Sequence, residues 1–246
     1  MRSGGPYDQL VSEAAGISFT NWEFGWLDGR TTVAGPSWSY PALAAPLLRA
    51  AGSALDLDTG GGELLVELAP LPAHTVAVEG WAPNVAVARD RLAPYGASVV
   101  TELPGGEDEF DVVLSRHGRL PAADIARLLR PGGTLLTQQV GSDDLADLNA
   151  ELGAAPPYLR TWTAATAVAA LEAAGLVVTD VREERPPLTF ADVGAIVQHL
   201  RAVPWQVRDF TPERYDRVLR RIDAMIRRDG PLTVTAHRFC VQASRR

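Results

Sequence analysis

The stretch Ala54-Leu55-Asp56-Leu57-Asp58-Thr59-Gly60-Gly61-Gly62-Glu63 joins a short apolar strand to a helix through three consecutive glycines. Glycine lets the backbone approach a ligand closely and take positive φ. The helix that follows presents N–H groups with no intrahelical partner. In doubly wound sheets ligands bind at the carboxyl ends of the strands, where this turn lies. The spacing is not that of a dinucleotide site: Gly60-x-Gly62 is followed by Leu65 where a third glycine belongs. The acids Asp56, Asp58 and Glu63 serve a pyrophosphate badly and a cationic ligand well.

Outward from this turn, strands and helices alternate. Strands are predicted at 54–57, 75–79, 97–100, 110–115, 134–140 and 176–181, and helices at 63–68, 84–92, 122–129 and 163–174. Val85, Ala88 and Leu92 share one helical face. Arg130-Pro131-Gly132-Gly133 stops the third of these helices. Such alternation implies an α/β fold with a doubly wound, mainly parallel sheet. Two helical stretches, 190–203 and 211–228, then follow without a strand between them, and 232–243 reads as a seventh strand. The expected plan has four parts: a cap with a short helix and an aromatic cluster (Trp22, Phe24, Trp26, Trp38, Tyr40) over 1–50, a core over 51–185, a helical lid insertion between strands six and seven over 186–230, and the final strand over 231–246.

Composition narrows the function. The 246 residues are 46% hydrophobic and 22% charged, which is ordinary globular usage, and no run is long and apolar enough to span a membrane. Residues 1–5 lead into no apolar segment of a secretory signal, so a cytoplasmic location is expected. The formal charge of −7 weighs against a nucleic-acid partner. Lysine is absent, which excludes a Walker-type phosphate loop and, with the abundant alanine, points to a GC-rich bacterial genome. The lone Cys240 forms no internal disulfide, and four scattered histidines without ligand spacing make no metal site.

Four motifs in order resemble class I S-adenosylmethionine (SAM)-dependent methyltransferases of the type 11 group. The first is Leu55-Asp56-Leu57-Asp58-Thr59-Gly60-Gly61-Gly62, with Asp58 where the family has its first glycine. The second is Glu79-Gly80-Trp81-Ala82-Pro83-Asn84-Val85, whose acid stands 23 positions after Asp56. The third is Phe110-Asp111-Val112-Val113-Leu114-Ser115. The fourth is Leu128-Leu129-Arg130-Pro131-Gly132-Gly133-Thr134-Leu135, followed further on by Leu171-Glu172-Ala173-Ala174-Gly175-Leu176. The resemblance covers residues 50–185 and implies a Rossmann-like, mainly parallel seven-stranded sheet. It implies SAM as cofactor, with Glu79 on the ribose hydroxyls. The implied cofactor-binding residues are Asp56, Asp58, Thr59, Gly60, Gly62, Glu79, Gly80, Trp81, Glu102, Leu103, Ser115 and Arg116.

An imidazole titrates near neutral pH, so His117, in the loop that the family places beside the reactive methyl, is the candidate base, with His199 of the insertion as a second. Gln138 and Gln139 lie late in the fifth strand, and alternation sends only one of them into the cleft. The expected acceptor is a small molecule, with bacterial specialised metabolism as its expected setting, and the expected state a monomer or homodimer. Two alternatives stand beside this: an RNA methyltransferase, through the arginines of 214–228, and a SAM-fold protein that transfers no methyl.

Overall fold

The structure, a computed structural model, describes residues 6–17, 25–157 and 161–246. Trp22 and Phe24 of the aromatic cluster, and the side chain of Trp26, lie outside the described residues. The elements begin with α1 (Pro6–Gly16), β1 (Thr31–Val33), α2 (Tyr40–Ala50), β2 (Ser53–Leu57), α3 (Glu63–Glu67) and β3 (His74–Val78). They continue with α4 (Ala82–Leu92), β4 (Ser98–Val100), β5 (Phe110–Arg116), α5 (Ala122–Leu128), β6 (Leu129–Val140), α6 (Ala146–Leu152) and α7 (Ala164–Ala173). The last are β7 (Leu176–Glu184), β8 (Pro187–Phe190), α8 (Val193–Ala202), α9 (Asp216–Asp229), β9 (Leu232–Thr235) and β10 (Arg238–Arg245). Among the described residues no helix is long and apolar enough to cross a membrane.

The chain divides into two compact units: residues 36–141, 162–184 and 238–246 form one, and residues 1–35, 142–161 and 185–237 the other. The larger unit holds a seven-stranded sheet in the order β4-β3-β2-β5-β6-β10-β7. Its first five strands are parallel, and β10 runs antiparallel between β6 and β7. β2 is buried along its whole length, as a strand covered on both faces must be. One face packs Leu55, Phe110, Leu135, Leu171 and Phe239, the other Tyr40, Leu48, Leu65, Leu92 and Leu114. Each fully buried leucine contributes about 1.5–3 kcal/mol over its exposed state. Helix ends follow their caps: Ser39 accepts from the Ala42 N–H ahead of α2, and Thr163 and Thr166 form a capping box at α7.

The smaller unit pairs β1, β8 and β9 in an antiparallel sheet, with α1, α6, α8 and α9 around a core that includes Leu148, Phe190, Ile196, Leu219 and Ile222. α8 is buried nearly all round, whereas α9 alternates buried Leu219, Ile222 and Ile226 with charged residues. The stretch read as one strand over 232–243 is two, β9 and β10, in different sheets. The break falls at Ala236-His237, where the His237 N–H donates to Asp144 Oδ1 at 2.8 Å and its ring accepts from the Asp143 N–H. Residues 187–190, assigned to a loop and helix by sequence, form β8 instead.

Candidate functional site

Strand order reverses beside β2: the chain passes from β2 to β3 and β4 on one side, and from β5 outward on the other. The carboxyl ends of β2 and β5, paired at Leu57↔Ser115, therefore mark the crevice where such sheets bind ligands. The loops at this crevice are 58–62 and 117–121.

The first loop is a chain of left-handed residues. Asp58, Gly60 and Gly62 have φ of 53°, 64° and 84°. A β-carbon on Gly62 would lie 2.8 Å from the Leu92 side chain, so glycine there lets α3 pack on α4. The Thr59 N–H donates to Val78 O at 2.9 Å and ties the loop to the end of β3. Glu63 is paired with Arg91, which also donates to Gly61 O at 2.6 Å. The acid at 63 is thus engaged within the turn.

Two carboxylates beside this loop are different. Asp56 is 2% exposed and Glu79 6% exposed, and neither forms an ion pair with any described residue. Burial pushes the Asp56 carboxyl up to about 7, helped by the nearby charges of Asp58 and Glu79, while Thr59 and Arg116 pull it down. The Thr59 hydroxyl lies close enough to Asp56 to favour its charge, yet makes no hydrogen bond of ordinary geometry and is buried. Glu79 accepts the Trp81 N–H at 2.7 Å through one oxygen. Its other oxygen receives no hydrogen bond from a described residue. Trp81 is 52% exposed at the start of α4, and Gly80 lies beside Thr101 O. Buried polar groups without partners call for a ligand. A ribose diol beside Glu79 and a cation near Asp56 would satisfy these, so the residues present fit a cationic nucleoside.

The second loop carries Ser115, Arg116, His117, Gly118 and Arg119. The Ser115 hydroxyl donates to Arg119 O at 3.1 Å and accepts from Gln139 Nε2 at 3.3 Å, so it braces the turn. His117 has φ 60°, and its N–H donates to Gln138 O at 2.7 Å. Trp38 Nε1 donates to the Gln138 amide oxygen at 2.8 Å, which leaves Gln138 Nε2 as donor to His117 Nε2 at 3.0 Å. The network thereby assigns the His117 proton to Nδ1. Loss of hydration, then Arg116 and Arg238, lower the imidazole pKa. A neutral ring whose Nε2 lone pair is taken does not fit the role of general base. Gln138 and Gln139 do point to opposite faces, but both are buried and bonded within the fold.

Arg119 is the residue that sequence reading missed. Its Nη2 and Nε reach Asp58 Oδ1 at 2.7 and 3.1 Å, and its N–H donates to Asp58 Oδ2 at 2.6 Å. A signal was present: a charged residue in place of a turn glycine needs a partner. Of the other candidates, Glu102 is exposed and Leu103 packs on the core. His199 belongs to the smaller unit, its ring 5.5 Å from that of Phe190. Among the described residues no cluster is fit to hold a metal ion.

Residues 55–137, from β2 through most of β6, match the family model of the methyltransferase domain. That stretch, about a third of the chain, is similar to a methyltransferase domain. Three solved structures align over nearly the whole chain. A functionally unknown protein from Deinococcus radiodurans R1 is 17% identical, with 98% of this chain and 99% of that one covered and a TM-score of 0.62. A protein concerned with conversion of a disulfide bond into a thioacetal group during echinomycin biosynthesis is 19% identical, over 97% and 92%, at 0.54. The [4+2]-cyclase SpnF is 18% identical, over 97% and 92%, at 0.51. At these identities the likeness is one of fold alone. No curated protein matches the chain.

Proposed function

We propose that this chain transfers the methyl group of SAM to a small-molecule acceptor. The observation that carries the reading is the pair of buried carboxylates, Asp56 and Glu79, at adjacent strand ends beside the glycine turn, with no ion pair to any described residue. When bound, SAM supplies a methyl on a sulfonium, an electrophile that needs no further activation. The free oxygen of Glu79 accepts from the ribose hydroxyls. The exposed face of Trp81 offers a platform to the nucleoside. Asp56, with Thr59 beside it, supplies negative potential for the cationic end. What remains for the protein is positioning, which accounts for most of the effect in such displacements. His117 contributes a fixed Nδ1–H donor rather than proton abstraction.

A small acceptor is favoured by the surface charge. The arginines of 214–228 that suggested RNA are mostly neutralised locally: Arg214 by Asp209, Arg220 by Asp8 and Asp216, Arg221 by Glu151, Arg227 by Asp223 and Arg228 by Asp229. A phosphate backbone binds to unpaired cations. The structural neighbour concerned with echinomycin biosynthesis is in keeping with an acceptor from specialised metabolism.

The test is calorimetry with SAM and with S-adenosylhomocysteine, followed by transfer of isotope-labelled methyl to small-molecule and RNA acceptors. Micromolar binding and labelled small products are expected. No binding at millimolar ligand would overturn the cofactor assignment. Binding with label only in RNA would select the RNA reading, and binding with no transfer the reading of a SAM-fold protein without methyl transfer.

A further inference from the structure

Most arginines of the larger unit have an acid to hold them: Arg91, Arg119, Arg127, Arg130 and Arg182 each form an ion pair. Arg116 does not. β5 is buried from Val112 to Ser115 and ends on its exposed guanidinium, which makes no ion pair and no hydrogen bond with any described residue. Strand register puts Arg116 opposite Gln138, and Gln138 opposite Cys240, so the three lie in one row across β5, β6 and β10. Asp56 pairs with Leu114, two positions before Arg116, and so faces the same side of the sheet. The side chain opposite Arg116 is already engaged, since Gln138 is held between Trp38 and His117. Arg116 acts electrostatically on Asp56, Tyr40 and His117, which sets its charge between the cofactor carboxylates and the His117 loop.

Charge is therefore divided across the crevice. The ends of β2 and β3 carry the buried acids Asp56 and Glu79. The end of β5 carries a cation without a protein partner, and the loop after it adds the Nδ1–H donor of His117. A cationic cofactor suits the first side. A guanidinium beside a sulfonium is opposed by like charge and calls for a ligand of the other sign. We propose that the methyl acceptor is a carboxylate-bearing small molecule, and that Arg116 selects it by taking the carboxylate in two parallel bonds. This rests on the methyl-transfer reading above. The planar fork of a guanidinium matches a carboxylate in geometry. One guanidinium supplies one charge, which balances a carboxylate and leaves a dianionic phosphate half-compensated.

The experiment uses the full chain loaded with S-adenosylhomocysteine and two probe pairs, acetate with acetamide and benzoate with benzamide, whose binding is followed by NMR titration. At least one acid should bind at least tenfold more tightly than its amide. Arg116→Gln should reduce that preference to within twofold while S-adenosylhomocysteine affinity, measured by calorimetry, stays within twofold. Arg116→Lys should restore part of the preference. No preference in either pair, or a preference that survives Arg116→Gln, overturns the inference and leaves the reading above standing. A tenfold loss of S-adenosylhomocysteine affinity in Arg116→Gln also overturns it, since the guanidinium would then belong to the cofactor. If the wild-type protein binds no S-adenosylhomocysteine, both readings fail together.

Discussion

Asp56→Asn should stabilise the protein at alkaline pH while weakening its cofactor site. In the folded chain the carboxyl titrates at about 7, raised first by burial, against an ordinary value of 3.8. A shift of about three units corresponds to about 4 kcal/mol. The folded state holds this proton more tightly than the unfolded state. Stability contributed by the neutral acid is therefore present below pH 4, declines as pH rises from 4 to 7, and is lost above 7. Asparagine keeps the shape and never ionises, so the advantage of the variant should grow from near zero at pH 4 to about 2–4 kcal/mol at pH 8, less whatever its amide loses in packing. The groups that face Asp56 are Asp58, Glu79, Arg116, Thr59 and Tyr40, and none is altered. Denaturant unfolding of both proteins without ligand, at several pH values, measures the gap. A gap that does not change with pH refutes the reasoning. The same linkage makes SAM binding to the wild type tighten as pH rises through 7, with proton release, and Asp56→Asn should abolish that slope.

Three further outcomes follow from the site. Glu79→Gln keeps an acceptor for the Trp81 N–H but loses the charged partner of the ribose, so S-adenosylhomocysteine affinity should fall about 10- to 100-fold in calorimetry; an unchanged affinity would remove Glu79 from the site. Gly62→Ala places a β-carbon against Leu92 at φ 84° and should destabilise the fold by about 2–4 kcal/mol in denaturant unfolding; a loss under about 0.5 kcal/mol would contradict the packing described. His117→Gln should reduce methyl transfer less than tenfold and leave the pH profile between 6 and 8 unchanged; a loss of about a hundredfold or more with a changed profile would restore its role as base.

The sheet was legible because its signals are local. The apolar strand, glycine turn and helix of 54–68 lie within one short window, and each later βα unit repeats the pattern. Glu79 could be placed because a strand end fixes it relative to Asp56. What stayed hidden depends on distant partners. β1 is only Thr31-Thr32-Val33, and it is a strand because Leu188 to Phe190 lie opposite it. α6 follows Leu145, held left-handed at φ 52°, which no propensity anticipates. The break between β9 and β10 leaves the alternation of 232–243 undisturbed, since each half has one buried face. At the site, the carboxylates were readable by type and position. The engagement of Asp58 by Arg119 was not, because the two meet only when β2 and β5 pair. Nor could sequence show that Trp38, a hundred positions away, takes the amide oxygen of Gln138 and so decides the protonation of His117.

The antiparallel β10 has a consequence for how the chain is made. It lies between β6 and β7, and β7 has no other neighbour in its sheet. Until residues 238–245 are made, β6 presents an open edge and β7 has no strand to pair with, although α7 can already pack on α5. Five strands can thus assemble as they are made, whereas the two-strand edge of β10 and β7 joins them only in one late step.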